Sequence, residues 1–399
     1  MLKIPPHATI HYRRNWIKKL MHGAAICALL AICASILTLA MTSENAANRD
    51  FVSYWAAGQR LVHRSNPYDA AAILALEKST GWVPSRPILM RNPPFALWLT
   101  IPLGLVSEKT GAVLWSMLIL VCLMVSIRLL RRVYGNQDNR LHLLGYLFAP
   151  SLACLLAGQT SALAVLGLTL FLSCYRTMPL LAGASLLLCA IKPHLFLPFG
   201  TVLLAWAVSR RAYRLLSGAA LALGISCAVP LLFDPSIYLH YAIAARTGGI
   251  EAEFVPSLSE LLRIAISPRS AWLQFLPALI GSAWAFWYYR RHQEEWDWHT
   301  HGSLLLLVSL LVAPYYWLTD EVILLPAMLR AIYVAAGNPQ DRSLYWFAAI
   351  DGAVLVEVLS GVQLDSALYV WPAAAWLAWY LWTVRPKSAK PIVALECLQ

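Results

Sequence analysis

The feature that most constrains this sequence is a series of charge-free apolar runs, separated by short segments rich in arginine and lysine. The first run, Gly23–Met41, has about the length that a helix needs to cross the hydrocarbon of a bilayer. Hydrophobic residues make up 59% of the chain and charged residues 13%, against about 45–50% and about 25% in soluble domains. A soluble core cannot bury that much apolar surface, so the sequence predicts an all-α polytopic membrane protein.

Further apolar segments follow, and with the first they predict about 12 transmembrane helices within one membrane domain, residues 1–399. These segments are Gly111–Leu130, Leu141–Ala157, Thr160–Tyr175, Met178–Ile191, Leu195–Ser209, Tyr213–Phe233, Ala271–Tyr289, Ser303–Leu318, Val322–Ala336, Leu344–Ser360 and Ser366–Val384.

Basic residues set the predicted topology, because Lys and Arg collect on the cytoplasmic side of membrane proteins. Five of them precede the first run, and paired arginines recur in alternate loops, so residues 1–22 and 385–399 are expected to be cytoplasmic tails of a cell (inner) membrane protein. The formal net charge of +11 is scattered among these loops, which argues against nucleic acid as a partner. The predicted outer loops are Thr42–Lys109 (the first outer loop, with interfacial helices), Gly158–Gln159, Lys192–His194, Asp234–Ser270, Thr319–Asp320 and Gly361–Asp365.

The segment Asn92–Val106 is apolar but contains three prolines. If it crossed the membrane fully, every later loop would change sides and the arginine clusters would lie outside. We therefore interpret it as re-entrant or interfacial, a placement that is tolerated only beside protein or a cavity.

The first outer loop begins with a carboxylate among aromatic residues. Asp50 precedes Tyr54 and Trp55, and such a carboxylate at the membrane surface can act as a general base, although it can equally cap a helix. Asn66 and Tyr68 belong to an Asn-Pro-Tyr-Asp stretch that is typical of a turn, with substrate binding as the alternative.

Two cations are candidates for holding a phosphate. Arg91 precedes the proline-rich segment, and Lys192 follows a charge-free run on the predicted outer side, where a cation needs an anionic partner. Either side chain could instead extend to the interface and remain solvated. Gln159 follows Gly158 in a turn that also faces outward in this topology.

A third group of candidates could hold a sugar through ring faces and carboxylates. His194 follows Lys192, and Tyr315, Tyr316 and Asp320 lie in the late outer corner, where Thr319 or Asp320 could alternatively cap a helix. Asp351 and Glu357 lie within a predicted span, and charged residues at that depth usually face a cavity or a partner.

These stretches together resemble glycosyltransferase family 87, the polyprenol-phosphate-dependent, mannosyltransferase-like enzymes of the GT-C fold. The resemblance rests on an ordered set of weak motifs along nearly the whole chain: Asp-Phe-x-x-Tyr-Trp-x-Ala-Gly at residues 50–58, Asn-Pro-Tyr-Asp at 66–69, Pro-Pro-Phe at 93–95, Gly-Gln at 158–159, Ile-Lys-Pro at 191–193 and Pro-Tyr-x-x-x-x-Asp at 314–320.

The resemblance implies a hexosyltransferase that moves a mannose-like sugar, with inversion, from a polyprenyl-phosphate donor to a lipid or glycan acceptor on the outer face. Asp50 would be the base, and Arg91 and Lys192 extend the scheme as phosphate ligands on the ground of charge. No cofactor is expected, and no divalent metal, because no outer loop contains an Asp-x-Asp pair. A transporter or flippase for lipid-linked sugars is the alternative.

Overall fold

The computed structural model describes residues 31–39, 41, 49–135, 140–247, 254–337 and 342–385, and these residues form helices and no strand. Residues 31–39 are helical, whereas the rest of the predicted first span, except residue 41, and the two predicted tails, except residue 385, lie outside the described ranges. The fold class of the described part is therefore all-α, as expected.

The α-helices that follow residues 31–39 are α1 Phe51–Val62, α2 Ala70–Ser79, α3 Glu108–Tyr134, α4 Leu144–Leu147, α5 Ala149–Ala157, α6 Ser161–Cys174, α7 Pro179–Ala190, α8 Leu197–Ser209, α9 Tyr213–Leu231, α10 Ile237–Thr247, α11 Leu258–Ile266, α12 Leu276–His292, α13 Trp298–Leu311, α14 Leu325–Ala336, α15 Ser343–Leu359 and α16 Pro372–Val384. Short 3-10 helices occupy Pro94–Leu99, Leu103–Leu105, Leu141–Leu143, Pro193–Phe196, Ala271–Phe275, Leu318–Leu324 and Ala367–Tyr369.

Two of the described helices are long and apolar enough to cross a membrane: α3, with 27 residues, and α9, with 19 residues. Four shorter apolar helical stretches lie at Ser161–Cys174, Pro179–Ala190, Pro193–Ser209 and Trp298–Leu311. The described helices follow the predicted apolar segments, but the total of about 12 transmembrane helices stays a prediction.

Prolines explain where the helices differ from the predicted segments. Leu141–Ala157 is divided into a 3-10 turn, α4 and α5, with the break at Phe148 two residues before Pro150, which has no N–H to continue a helical ladder. The predicted span Ser303–Leu318 is wrong at its C-terminal end, because α13 ends at Leu311, three residues before Pro314. The aromatic residues after Pro314 consequently lie in an irregular turn.

The proline-rich segment forms two 3-10 helices rather than one long helix, and it packs against α1. A Cβ on Gly58 would collide with the backbone of Thr100 and Gly104. Trp55 Nε1 and Gln59 Nε2 both donate to the Val106 carbonyl, at 3.0 and 3.2 Å. This close backbone contact is available because Gly58 lacks a side chain.

The contacts divide the chain into two compact units. The first comprises the described parts of Met1–Val121, Leu155–Gln159 and Ile225–Gly248, and the second those of Cys122–Cys154, Thr160–Gly224 and Gly249–Gln399. Each unit contains a polar cluster of its own, so the clusters are described one at a time.

Candidate functional site

Asp50 lies at the N-terminal end of α1 but does not cap that helix with its side chain. Its backbone N–H donates to the Ala157 carbonyl at 3.1 Å, which ties the start of α1 to the end of α5. The half-buried carboxylate instead accepts a hydrogen bond on Oδ2 from Gln159 Nε2 at 2.5 Å. The helix-cap alternative therefore does not describe this carboxylate.

Gln159 is itself held in one orientation. The Tyr54 hydroxyl donates to Gln159 Oε1 at 3.3 Å, so the amide nitrogen is directed to Asp50. Tyr54 and Gln159 are 5% and 9% exposed, respectively. We call Asp50, Tyr54 and Gln159 the Asp50 cluster, in which a carboxylate that lies between water and protein is oriented by a buried neutral amide.

The turn that carries Gln159 depends on glycine and on a tryptophan that sequence analysis missed. Gly158 has a φ of +73°, a backbone conformation that suits glycine. Its carbonyl accepts from Trp115 Nε1 at 2.7 Å, and the Trp115 ring lies 5.3 Å from the Tyr54 ring. Nothing in the sequence marks Trp115 as part of a site, because it lies inside the apolar run that forms α3.

The second polar cluster is centred on Asp320, which is fully buried. Asp320 Oδ1 accepts from Lys192 Nζ at 2.6 Å and also from the Ser161 hydroxyl. Asp320 Oδ2 accepts from the Trp317 backbone N–H at 3.1 Å. We call Ser161, Lys192 and Asp320 the Asp320 cluster.

Electrostatics favour the ionised form of Asp320. Burial alone would raise the pKa of this carboxyl, but the Lys192 ammonium and the hydrogen bonds from Lys192, Ser161 and Trp317 outweigh burial and lower the pKa. Asp320 is thus one anionic partner of Lys192, and the phosphate that the sequence suggested for this cation stays a prediction. Ser161 was also missed, since a serine at the start of an apolar helix has an ordinary appearance.

Aromatic residues lie beside the Asp320 cluster in the same unit. The His194 and Tyr315 rings stack at 3.9 Å, and Trp317 lies edge-on to Tyr315 at 6.3 Å. All three residues are half-buried. Tyr316 is fully buried, and its contact with substrate stays a prediction.

Three other residues that we predict to bind substrate also have contacts within the protein. Trp55 binds the Val106 carbonyl, and Tyr68 OH donates to the Asn92 carbonyl at 3.2 Å. Asn66 Oδ1 accepts from the Tyr68 N–H at 2.9 Å, which confirms the turn. Asp69 completes that turn by capping α2 through the N–H groups of its first residues.

The remaining charged candidates also have defined positions. Arg91 is exposed just before the first 3-10 helix of the proline-rich segment. Asp351 Oδ1 accepts from the Ala149 N–H at 2.8 Å at the start of α5, and Glu357 Oε1 accepts from Trp371 Nε1 at 3.2 Å. Among the residues that the structure describes, no group of three or more His, Cys, Asp or Glu side chains is arranged to hold a metal ion.

These observations define an all-helical protein with apolar helices of membrane-spanning length and a carboxylate oriented by an amide. The sequence model of glycosyltransferase family 87 matches residues 91–314, more than half of the chain. The chain therefore belongs to glycosyltransferase family 87, and it is a membrane-associated glycosyltransferase that acts on a sugar donor and an acceptor. The matched residues include Gln159 and Lys192, whereas Asp50 and Asp320 lie outside them. No curated protein and no solved structure matches the chain.

Proposed function

We propose that this glycosyltransferase moves a mannose-like hexose from a polyprenyl-phosphate sugar to a lipid or glycan acceptor on the outer face of the cell membrane. The observation that carries this proposal is the Asp50 carboxylate, held by Gln159 and not used by its own helix. Its outward position is supported by the excess of basic residues before the first apolar run.

In the proposed reaction, the acceptor hydroxyl attacks the anomeric carbon while Asp50 takes the hydroxyl proton. The bond from the anomeric carbon to the phosphate oxygen breaks, and polyprenyl phosphate leaves with the bonding electron pair. A single displacement from the side opposite the phosphate inverts the anomeric configuration. Gln159 would fix the carboxylate in the orientation that this proton transfer requires.

The leaving phosphate needs cationic groups, because negative charge develops on its bridging oxygen as the bond breaks. We propose Arg91 as the cation for this role and Lys192, whose ammonium is bonded to Asp320, as a second candidate. The half-buried residues His194 and Tyr315 are proposed to contact sugar or lipid. A divalent ion is not part of the proposal.

The direct test is transfer by the full chain in nanodiscs, supplied with polyprenyl-phosphate mannose, polyprenyl-phosphate glucose or nucleotide sugars and an extract of membrane glycolipids. We expect Asp50→Asn to lower kcat by about 10²–10⁴-fold, the usual contribution of a positioned general base. The matched control is Asp69→Asn, because asparagine caps a helix about as well as aspartate, so activity should be retained.

Unchanged transfer by Asp50→Asn would remove Asp50 as the base, although the family assignment would stand. Transfer from nucleotide sugars but not from polyprenyl phosphates would overturn the proposed donor. The anomeric configuration of the product, measured by NMR, tests inversion separately. Movement of the sugar lipid across the bilayer without transfer would favour the flippase alternative.

A further inference from the structure

Helix α11, Leu258–Ile266, has the reverse of the arrangement expected for a helix in an aqueous loop. Its charged residues are buried, with Glu260 and Arg263 only 1% and 4% exposed. Its outward residues are all apolar and exposed or half-buried: Leu258, Leu261, Leu262, Ile264, Ala265 and Ile266. Water therefore does not explain how this helix is oriented.

The inward polar groups are bonded within the second unit. Arg263 Nη2 lies 2.5 Å from Glu260 Oε1, Arg263 Nε donates to Glu260 Oε2 at 3.1 Å, and Arg263 also donates to the Pro268 carbonyl. The Ser257 hydroxyl caps the helix by accepting from the Glu260 N–H at 3.2 Å. Desolvating such an ion pair costs several kcal/mol per ion, so a water-facing α11 would be expected to turn its charges outward.

The length of α11 decides between crossing a bilayer and lying on one. A helix rises about 1.5 Å per residue, so the nine residues of α11 cover about 14 Å, roughly half the thickness of the hydrocarbon core. Helices that lie in the membrane interface bury an apolar face by about 5–10 Å and do not span.

The exposed apolar surface of α11 continues into a predicted membrane span. The 3-10 helix Ala271–Phe275 packs against both α11 and α12, and its Trp272 and Phe275 are 65% and 50% exposed. On α12, Leu279 and Ile280 are 68% and 61% exposed. Lipid that covers α12 would therefore lie near the outward face of α11, with the exposed Arg269 in the turn that joins α11 to the 3-10 helix.

We propose that α11 is an interfacial helix whose apolar face lies in the acyl region of the phospholipid bilayer and anchors this part of the chain. This assignment places part of the predicted outer loop Asp234–Ser270 in the membrane interface. It does not depend on which sugar or acceptor the enzyme uses.

The test introduces a small fluorescent amino acid singly at Leu261, Ile264 or the exposed control position Glu294 of the full chain. Each protein is placed in phosphatidylcholine nanodiscs with ordinary or brominated acyl chains, and iodide is added as an aqueous quencher. At positions 261 and 264 we expect brominated lipid to lower the emission by at least about twofold, as for residues at the acyl boundary. Iodide should quench position 294 more than either of these.

Retained glycosyl transfer and monodisperse elution establish that each labelled protein is folded. Quenching of positions 261 and 264 by iodide to the same degree as position 294 would show that α11 faces water and would overturn the proposal. Protection from both quenchers would also overturn it, because a second copy or another segment of the chain would then cover the face.

Discussion

The two polar clusters contain the same functional group at different depths and with different donors. In the Asp50 cluster the half-buried carboxylate is bound by a neutral amide, Gln159 Nε2 at 2.5 Å. In the Asp320 cluster the carboxylate is fully buried and bound by an ammonium, Lys192 Nζ at 2.6 Å. A neutral donor orients a carboxylate without neutralising its charge, whereas a cation does both.

This difference separates two kinds of role. A base must exchange a proton with a substrate, so it needs partial exposure. A fully buried carboxylate with a bonded cation and two further hydrogen bonds is costly to disturb, because removing either partner leaves a buried charge. We therefore expect Asp50→Asn to affect mainly activity and Asp320→Asn mainly stability, with any effect of Asp320→Asn on activity acting through Lys192.

The largest expected effect is on the stability of the Asp320 cluster. Asp320→Asn leaves the ammonium of Lys192, a residue that is 8% exposed, with a neutral amide in place of its carboxylate partner. We expect a loss of about 3–5 kcal/mol in the free energy of unfolding, as for other broken buried ion pairs. Thermal and urea unfolding of the detergent-solubilised protein would measure this loss.

The matched variants are Asp50→Asn and the double variant Lys192→Met/Asp320→Asn. The first should cost at most about 1 kcal/mol, since Gln159 can donate to the asparagine oxygen. The second should recover much of the loss, because it removes both charges together. Equal destabilisation by Asp50→Asn and Asp320→Asn would contradict the assignment of different roles to the two carboxylates.

The next effect concerns the neutral amide of the Asp50 cluster. Gln159→Leu removes the hydrogen bond to Asp50, and a bond to a charged group contributes about 1.5–3 kcal/mol. If that bond orients the base, kcat should fall by about 10–100-fold while KM for the donor changes little. Steady-state kinetics with saturating acceptor would check the split between kcat and KM.

Gln59→Leu is the control for this prediction, because Gln59 also donates through its amide, but to the Val106 carbonyl. Its kcat should stay close to that of the unaltered enzyme. A loss of activity in Gln59→Leu as large as in Gln159→Leu would indicate a general effect on packing around α1.

Much of the helical layout was predictable, because helix positions follow long apolar runs that hydropathy alone reveals. Pairings between distant residues were not predictable in the same way. Asp50 and Gln159 are 109 positions apart, and Lys192 and Asp320 are 128 apart. The charge-based topology assigned these residues to the outer side, but only folded coordinates reveal which side chains are bonded. A cation in an apolar sequence indicates a missing anion without distinguishing phosphate from carboxylate.

Glu77 was also missed, because a glutamate near the end of α2 is ordinarily solvated. In the structure it is fully buried, and both carboxyl oxygens lie 3.2 Å from the Ile88 N–H. Burial raises the pKa of Glu77 to about 7, and the hydrogen bond from Ile88 only partly opposes this. Glu77 thus resembles Asp320 in burial, but no salt bridge from a cation is found for it among the described residues.

The smallest expected effect concerns Glu77, a buried carboxyl that can be compared with Asp320. Its folded-state pKa lies above the unfolded value of 4.5, so the folded state binds the proton more tightly. The protonated Glu77 therefore stabilises the folded state fully below about pH 4.5, and this stabilisation is lost as the pH rises to about 7. Glu77→Gln should remove this pH dependence of the free energy of unfolding, which we put at about 1 kcal/mol because the adjoining loop is open to solvent.

Hydrogen exchange of residues 80–90, corrected for intrinsic rates, should show protection falling across this pH window in the unaltered protein and staying level in Glu77→Gln. Glu294→Gln, at an exposed position, is the control. If the fall in protection persists in Glu77→Gln, another titrating group is responsible for it.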